Sequence, residues 1–293
     1  MLRSLFAGIS GLRVNQTMLD VTGNNIANAN TIGFKSSTTV FQDTLSQMLT
    51  ASTGATAGGR GGTNPIQIGL GVQVAATSGN FSQGSTETTG GATDMMINGD
   101  GFFVVKDPST NVDTYTRAGA FHWDNAGNLC AADGKLVQGY AMDASGNPDT
   151  TNGPVNITQA MNSASLPIDP ATNKPVTLNS LEIGSDGTIT GTYSDGQPHK
   201  IGQVALANFV NPEGLDKSGD TQFAASNASG QPNLGVPATG GRGNLTVGAL
   251  EMSNVDLASE FTNLILAQRG FEASSKVITT SDTVLQDLVD MKR

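Results

Sequence analysis

The residues with chemistry to offer are few and far apart. The chain holds two histidines, His122 and His199, and one cysteine, Cys130. None of the three has a cysteine, histidine or paired acidic residue at metal-ligand spacing, so no zinc or nucleophile constellation forms around them. GLGVQV at 69–74 supplies a Gly-x-Gly, but neither the third glycine nor the following helix that a dinucleotide site needs. DNAGN at 124–128 and GSDG at 184–187 place carboxylates in turns, without the spaced ligands and closing glutamate of a calcium loop. No Walker loop, HExxH or GxSxG occurs. These residues read as turn and packing groups, and the sequence predicts no enzyme, no cofactor and no metal site.

The surrounding composition points the same way. Among 293 residues there are 37 glycines, while charged residues make up 14% and aromatics 5%. That is the balance of many turns, short strands and a thin core. The net charge of −10 makes a phosphate-backbone partner a poor match, so no nucleic acid is expected. One cysteine allows no intramolecular disulfide. No stretch approaches the ~20 apolar residues of a membrane span, and no membrane insertion is expected. The opening MLRSLFAGISGLRVNQ lacks a sustained apolar core and a cleavage site, so export by a cleaved signal peptide is not expected either.

The elements must come from periodicity. Leu5, Leu12, Leu19 and Ile26 lie seven apart, with Ile9 and Gln16 on a companion row. At the other end Leu257, Leu264, Phe271, Ile278 and Leu285 repeat the pattern, with Phe261, Gln268 and Val289 beside them. The spacing predicts a helix over 2–29 and a second running to Lys292 and Arg293, capped by Ser253 or Asn254. Each apolar stripe is narrow, suited to packing on its fellow and on other chains, with Gln16 and Gln268 setting register in the seam. NNIANAN at 24–30 undermines the first helix. Asn24, Asn25, Asn28 and Asn30, ahead of Gly33 and Phe34, mark the junction out of it, with Asn28 or Asn30 in a left-handed conformation.

Residues 31–72 lose the helical period, and 51–65 read as linker. From about 72 short strands alternate with turn signals, NGDG (98–101), DNAGN and ADGK (132–135) reading as hairpin turns. The expected fold is α+β: two long terminal helices forming a coiled-coil-like layer and a central all-β sandwich or distorted barrel. The expected domains are 1–71 (helix and linker), 72–247 (β, with a loop-rich insertion at 141–180 and a loop-rich return from 212) and 248–293 (helix).

MLRSLFAGISGLRVNQTMLDVTGNNIANANTIGFKSS and NVDLASEFTNLILAQRGFEASSKVITTSDTVLQDLVDMKR resemble the two ends of the bacterial flagellar rod and hook family. GGTNPIQIGLGVQV, INGDGFFVV, YTRAGAFHWDNAGNL and ANFVNPEGL are similar to stretches of its hook-type members. The resemblance leans to a short hook-type subunit, with the distal rod type as the alternative. It implies a structural protein that polymerises into a helical tube outside the cell, a universal joint between rod and filament. The implied partners are copies of itself, other axial proteins (distal rod, hook–filament junction, hook cap) and the flagellar type III export apparatus. It also implies that the heptad residues pack subunit against subunit.

Overall fold

The computed structural model describes residues 2–54, 61–143, 146–150, 153–158, 178–194 and 196–291. Most of the insertion expected at 141–180, the tip of the expected linker at 55–60, and Lys292 and Arg293 lie outside the described residues. The chain divides into two compact units.

The first unit gathers Met1–Ala29, Ser36–Asn80 and Val255–Arg293. It holds helix α1 (Leu2–Ala27), strands β1 (Ser37–Asp43), β2 (Ser46–Thr50), β3 (Ile66–Gly69) and β4 (Val72–Gly79), and, from the far end of the chain, helix α2 (Leu257–Asp290). The cap of α2 is Asp256, whose side chain accepts from Ala258 N, rather than Ser253 or Asn254. Asn254 instead donates its amide to Ser82 O at 3.2 Å.

The stretch read as linker, 51–65, lies between β2 and β3. β1 pairs antiparallel with β4, and β2 with β3, and a bridge joins Thr53 to Thr63. The result is one long two-stranded ribbon. Phe41 pairs with Val74 and Gln47 with Ile68, while Leu70 N donates to Leu45 O. Strand alternation then sets Phe41, Leu45, Ile68, Leu70, Val72 and Val74 on one side. The helical period was lost because the period had become two. The strand pattern also moves the boundary expected at residue 72, since β4 belongs with β1.

The second unit comprises Asn30–Lys35 and Phe81–Asn254. Its strands are β5 (Thr86–Thr88), β6 (Met95–Asn98), β7 (Phe102–Lys106), β8 (Asp113–Thr116), β9 (Phe121–Trp123), β10 (Leu129–Ala131) and β11 (Leu136–Ala141). They continue as β12 (Val155–Asn156), β13 (Leu178–Ile183), β14 (Thr188–Tyr193), β15 (Pro198–Val204) and β16 (Leu206–Asn208). The expected loop at 212–247 carries four more, β17 (Asp216–Gly219), β18 (Gln222–Ala224), β19 (Asn233–Gly235) and β20 (Asn244–Val247), and β21 (Ala249–Glu251) falls in the stretch 248–293 expected to be helix.

A 13-stranded antiparallel sheet follows the path β13-β14-β15-β11-β7-β8-β18-β17 with shorter strands attached. β7 is its centre, and its side chains alternate between two cores. Phe103 and Val105 join Met95, Ile97, Leu129 and Leu206 on one face. Phe102 and Val104 join Tyr115, Phe209 and Phe223 on the other, where the rings meet edge to face. A strand buried on both faces reads as the continuous apolar run FFVV rather than as alternation.

DNAGN and ADGK are hairpin turns, joining β9 to β10 and β10 to β11. NGDG is not. β6 pairs with β20 and β7 with β8, so this turn carries the chain from one pairing to another. Gly99 and Gly101, at φ of 110° and 132°, make that crossing without a side-chain clash. Among the described residues no helix is long and apolar enough to cross a membrane.

Candidate assembly surface

Helices α1 and α2 run antiparallel, and the contact between them is built from small and polar residues. Gly8 lies against Ile278, and a Cβ on Gly8 would stand 3.0 Å from Ile278 Cγ1. One on Gly11 would stand 2.8 Å from Ser274 Oγ, and one on Gly270 would stand 2.5 Å from Asn15 Oδ1. Ser4 and Ser281 share a 3.3 Å hydroxyl contact. Val14, Thr22 and Ala267 are buried along the same seam. Side chains this small let two backbones come close, and the polar ones turn inward. Asn15 Nδ2 donates to Gly11 O at 2.8 Å, and Ser274 Oγ to Gly270 O at 2.8 Å.

The seam is closed by Asn25, the second asparagine of NNIANAN. Its Nδ2 donates to Glu260 Oε1 at 2.9 Å and to Ser37 O at 2.8 Å, while Ser37 N donates to its Oδ1 at 3.0 Å. One buried amide therefore ties α1, α2 and the start of β1. The other asparagines finish the helix in a right-handed turn. Asn28 Nδ2 donates to Asn24 O at 2.9 Å and to Asn24 Oδ1 at 2.7 Å. Neither Asn28 nor Asn30 takes the left-handed conformation expected of one of them. With the last carbonyls already satisfied, the reversal waits for Gly33, at φ +68°. Asn24 and Asn30 are exposed and Phe34 is half-buried against Lys217, whose ammonium lies 5.1 Å from the ring centre.

Gly33 opens a second polar centre, within the β unit. Its N–H donates to Glu251 O at 2.7 Å. The Glu251 carboxylate is fully buried and accepts from Lys35 Nζ at 2.5 Å, Gly84 N at 2.9 Å and Arg117 Nη1 at 3.2 Å. Lys35 Nζ also donates to Ser82 O, and Arg117 Nη2 to Gly99 O, with the guanidinium over the Phe102 ring. Burial pulls the Lys35 ammonium and the Arg117 guanidinium below their ordinary values, and Glu251 opposes both shifts. Sequence reasoning missed this triad, because its members are 82 and 134 positions or more apart and no local pattern joins them.

The heptad residues hold a different place. Leu5, Leu12, Leu19, Ile26, Leu264, Ile278 and Leu285 are half-buried beside the small-residue seam. Gln16 and Gln268, expected to face a seam, are exposed and take no part in the contact within the chain. Ile9, Leu257, Phe261, Phe271 and Val289 are exposed, as are Phe6, Ile265, Leu266 and Leu288. The helices use their small residues on each other and leave large apolar ones outward.

The groups first weighed for chemistry are occupied structurally. Asp124 Oδ1 accepts from Ala126 N and Asn128 N within its own turn, and hydrogen bonds from Asn128 hold its carboxyl below the usual range. Cys130 is buried and burial pushes its thiol up. His199 packs edge-on against Tyr193, and His122 is exposed. Among the described residues no cluster of three potential metal ligands occurs.

Comparison with known proteins places these features. A family model described as "Flagella basal body rod protein" matches residues 5–35, α1 through the junction to Lys35. "Flagellar hook protein FlgE/F/G D1 domain" matches 96–191, and "Flagellar basal body rod FlgEFG protein C-terminal" matches 246–291. The basal-body rod protein FlgG of Bacillus subtilis is 42% identical over 295 positions, covering 100% of both chains. The chain belongs to the flagellar hook and rod axial protein family. Members of this family are structural proteins, not enzymes, and the chain is a component of the flagellar basal body or hook. The hook protein FlgE of Borreliella burgdorferi is 31% identical over 444 positions and its FlgG 32% identical over 296, each with the whole of both chains covered. Identity to the hook and rod proteins of that organism is nearly equal, but the lengths differ. The hook and rod family matches fall on the seam, the junction and the β unit described above.

Proposed function

We propose that the chain is a self-assembling subunit of the flagellar axial structure, of the distal rod type. One observation carries the rod assignment: end-to-end alignment with a rod protein at 42% identity in 295 positions. The hook relative needs 444 positions for the 293 residues of this chain, so the hook type carries a long segment absent here. The short segment at 141–180 leaves little room for such an outer insertion.

Assembly rests on the exposed apolar side chains of α1, α2 and the ribbon. A contact repeated head to tail between identical chains generates an open helical polymer. Each narrow stripe contributes modestly, about 25 cal/mol per Å² of apolar area, and repetition makes the tube strong. A rod of this kind transmits torque without bending, as a drive shaft. Its partners are copies of itself and neighbouring axial proteins, and it reaches its place through the flagellar export apparatus.

The hook reading has its own support in FKSSTTVFQDTLSQ and GGTNPIQIGLGV and in the full coverage of the Borreliella hook protein. Electron microscopy of purified hook–basal bodies carrying a labelled copy of this chain separates the two. Label confined to the straight segment within the basal body supports the rod type. Label along the curved external segment overturns it in favour of the hook type.

A further inference from the structure

The polypeptide enters or leaves the β unit at four points, and one cluster of bonds gathers them all. The unit begins at Asn30, breaks off after Lys35, resumes at Phe81 and ends at Asn254. Within it Gly33 N donates to Glu251 O at 2.7 Å. Lys35 Nζ donates to Ser82 O at 2.8 Å and to Glu251 Oε1 at 2.5 Å. Gly84 N donates to the same carboxylate oxygen at 2.9 Å, and Met252 N to Ser85 O at 2.9 Å. Asn254 Nδ2 closes the set on Ser82 O at 3.2 Å.

Arg117 joins this cluster to the sheet. It follows β8, which pairs with the central strand β7, and it donates Nη1 to Glu251 Oε2 and Nη2 to Gly99 O. Lys35 and Glu251 are fully buried and Arg117 is 3% exposed, so solvent does not reach a bond that stretches. In such a low-dielectric setting charged hydrogen bonds are at their strongest. Yet a buried ion pair adds little equilibrium stability over a well-packed apolar replacement. Stability alone therefore does not account for a charged triad where the chain enters and leaves the unit.

We propose that Lys35, Arg117 and Glu251 form a load-bearing clasp, which takes a pull arriving along the polypeptide and passes it to the sheet. The pull comes in on residues 30–35, 81–84 and 251–254, and a single carboxylate holds all three. Drawing one segment away from the others breaks buried charged bonds together, rather than peeling a strand one bond at a time. The clasp thus governs the rate of unfolding under force more than the equilibrium. It serves a rod and a hook subunit alike, so it does not depend on that assignment.

The test holds the monomeric full-length chain by its two ends in an optical trap. Once the terminal helices are drawn out, load enters the β unit at Asn30 and leaves at Asn254. At fixed force Lys35→Met should unfold at least about tenfold faster than the unaltered chain. It leaves Arg117 and Glu251 as a balanced pair, so the unit still folds, as circular dichroism checks. Val137→Ala, in the core and outside the clasp, should lose at least as much stability in urea. Under load it should nevertheless unfold less than about twofold faster. Asn254→Ala touches no buried charge and probes the clasp with the core intact, with about threefold faster unfolding expected. Equal acceleration by Lys35→Met and Val137→Ala overturns the inference, as does unchanged unfolding of Lys35→Met or Asn254→Ala under load.

Discussion

Gly33 and Glu251 show how much rests on single residues. A Cβ on Gly33 would fall 2.4 Å from Ala118 N, at a φ of +68° where a side chain is already strained. Gly33→Ala should therefore cost about 2–5 kcal/mol, from the left-handed backbone and the overlap together, measured by urea unfolding of the β unit. Glu251→Gln should cost about 3–5 kcal/mol, because Lys35 and Arg117 would remain buried without a counter-charge. A second substitution, Lys35→Met, should return part of that loss. If the double variant is no more stable than Glu251→Gln alone, the triad is not where the energy lies. One turn works in the opposite direction. Asp220 and Thr221 take φ of 48° and 57° in the two-residue loop between β17 and β18. Thr221→Gly should raise stability by about 1 kcal/mol, since a β-branched residue is strained there. Acid affects a different set. Hydrogen bonds from Ser109 hold the exposed Asp107 carboxyl down to about 2. A carboxyl lowered on folding lends stability above its unfolded value of 3.8, lost as pH falls toward 2. Asp107→Asn should flatten stability against pH across that window, while pH 5–8 stays unaffected.

At the scale of elements, the helices and the central strands were legible and the contact between the helices was not. Heptad arithmetic finds α1 and α2 because leucines mark one face. It overlooks Gly8, Gly11, Asn15, Gly270 and Ser274, since small and polar residues carry no hydrophobic signal even when they form the closest contact. The motif places Asn25 at the junction out of α1 but not its buried tie to Glu260, which lies 235 positions away. The ribbon escaped for another reason. Its strands bury almost nothing, β2 and β3 being exposed throughout, so no buried face marks them as a pair in the sequence. Because the seam depends on close approach, Gly11→Leu should separate α1 from α2 and lower helical circular dichroism at low protein concentration, with β7 and its neighbours unaffected. Leu264→Asp makes the complementary test: α2 should still pair with α1 while tube formation is lost. Tubes from Leu264→Asp, seen by electron microscopy, would remove this residue from the subunit contacts.

For the whole molecule the two units divide stability unequally. The β unit has both cores and the charge triad, whereas the helical unit exposes Phe6, Phe261, Ile265, Leu266 and much of the ribbon. Helices and two-stranded ribbons without enough partners open readily. Hydrogen exchange on dilute chain should show fast exchange in α1, α2 and β1–β4 and slow exchange in β7, β11, β14 and β15. In assembled tubes the first set should slow by orders of magnitude. Equal protection in both states would mean that assembly does not complete the helical unit.

The Glu251 tie also bears on when the β unit can close. Lys35 is made early in synthesis and its carboxylate partner arrives 216 positions later. Until then a nascent chain has two cations to bury and no anion to receive them. Contacts so far apart in sequence slow folding on topological grounds alone. Charge should add a second delay, since the burial of Lys35 and Arg117 is compensated only once β21 brings Glu251.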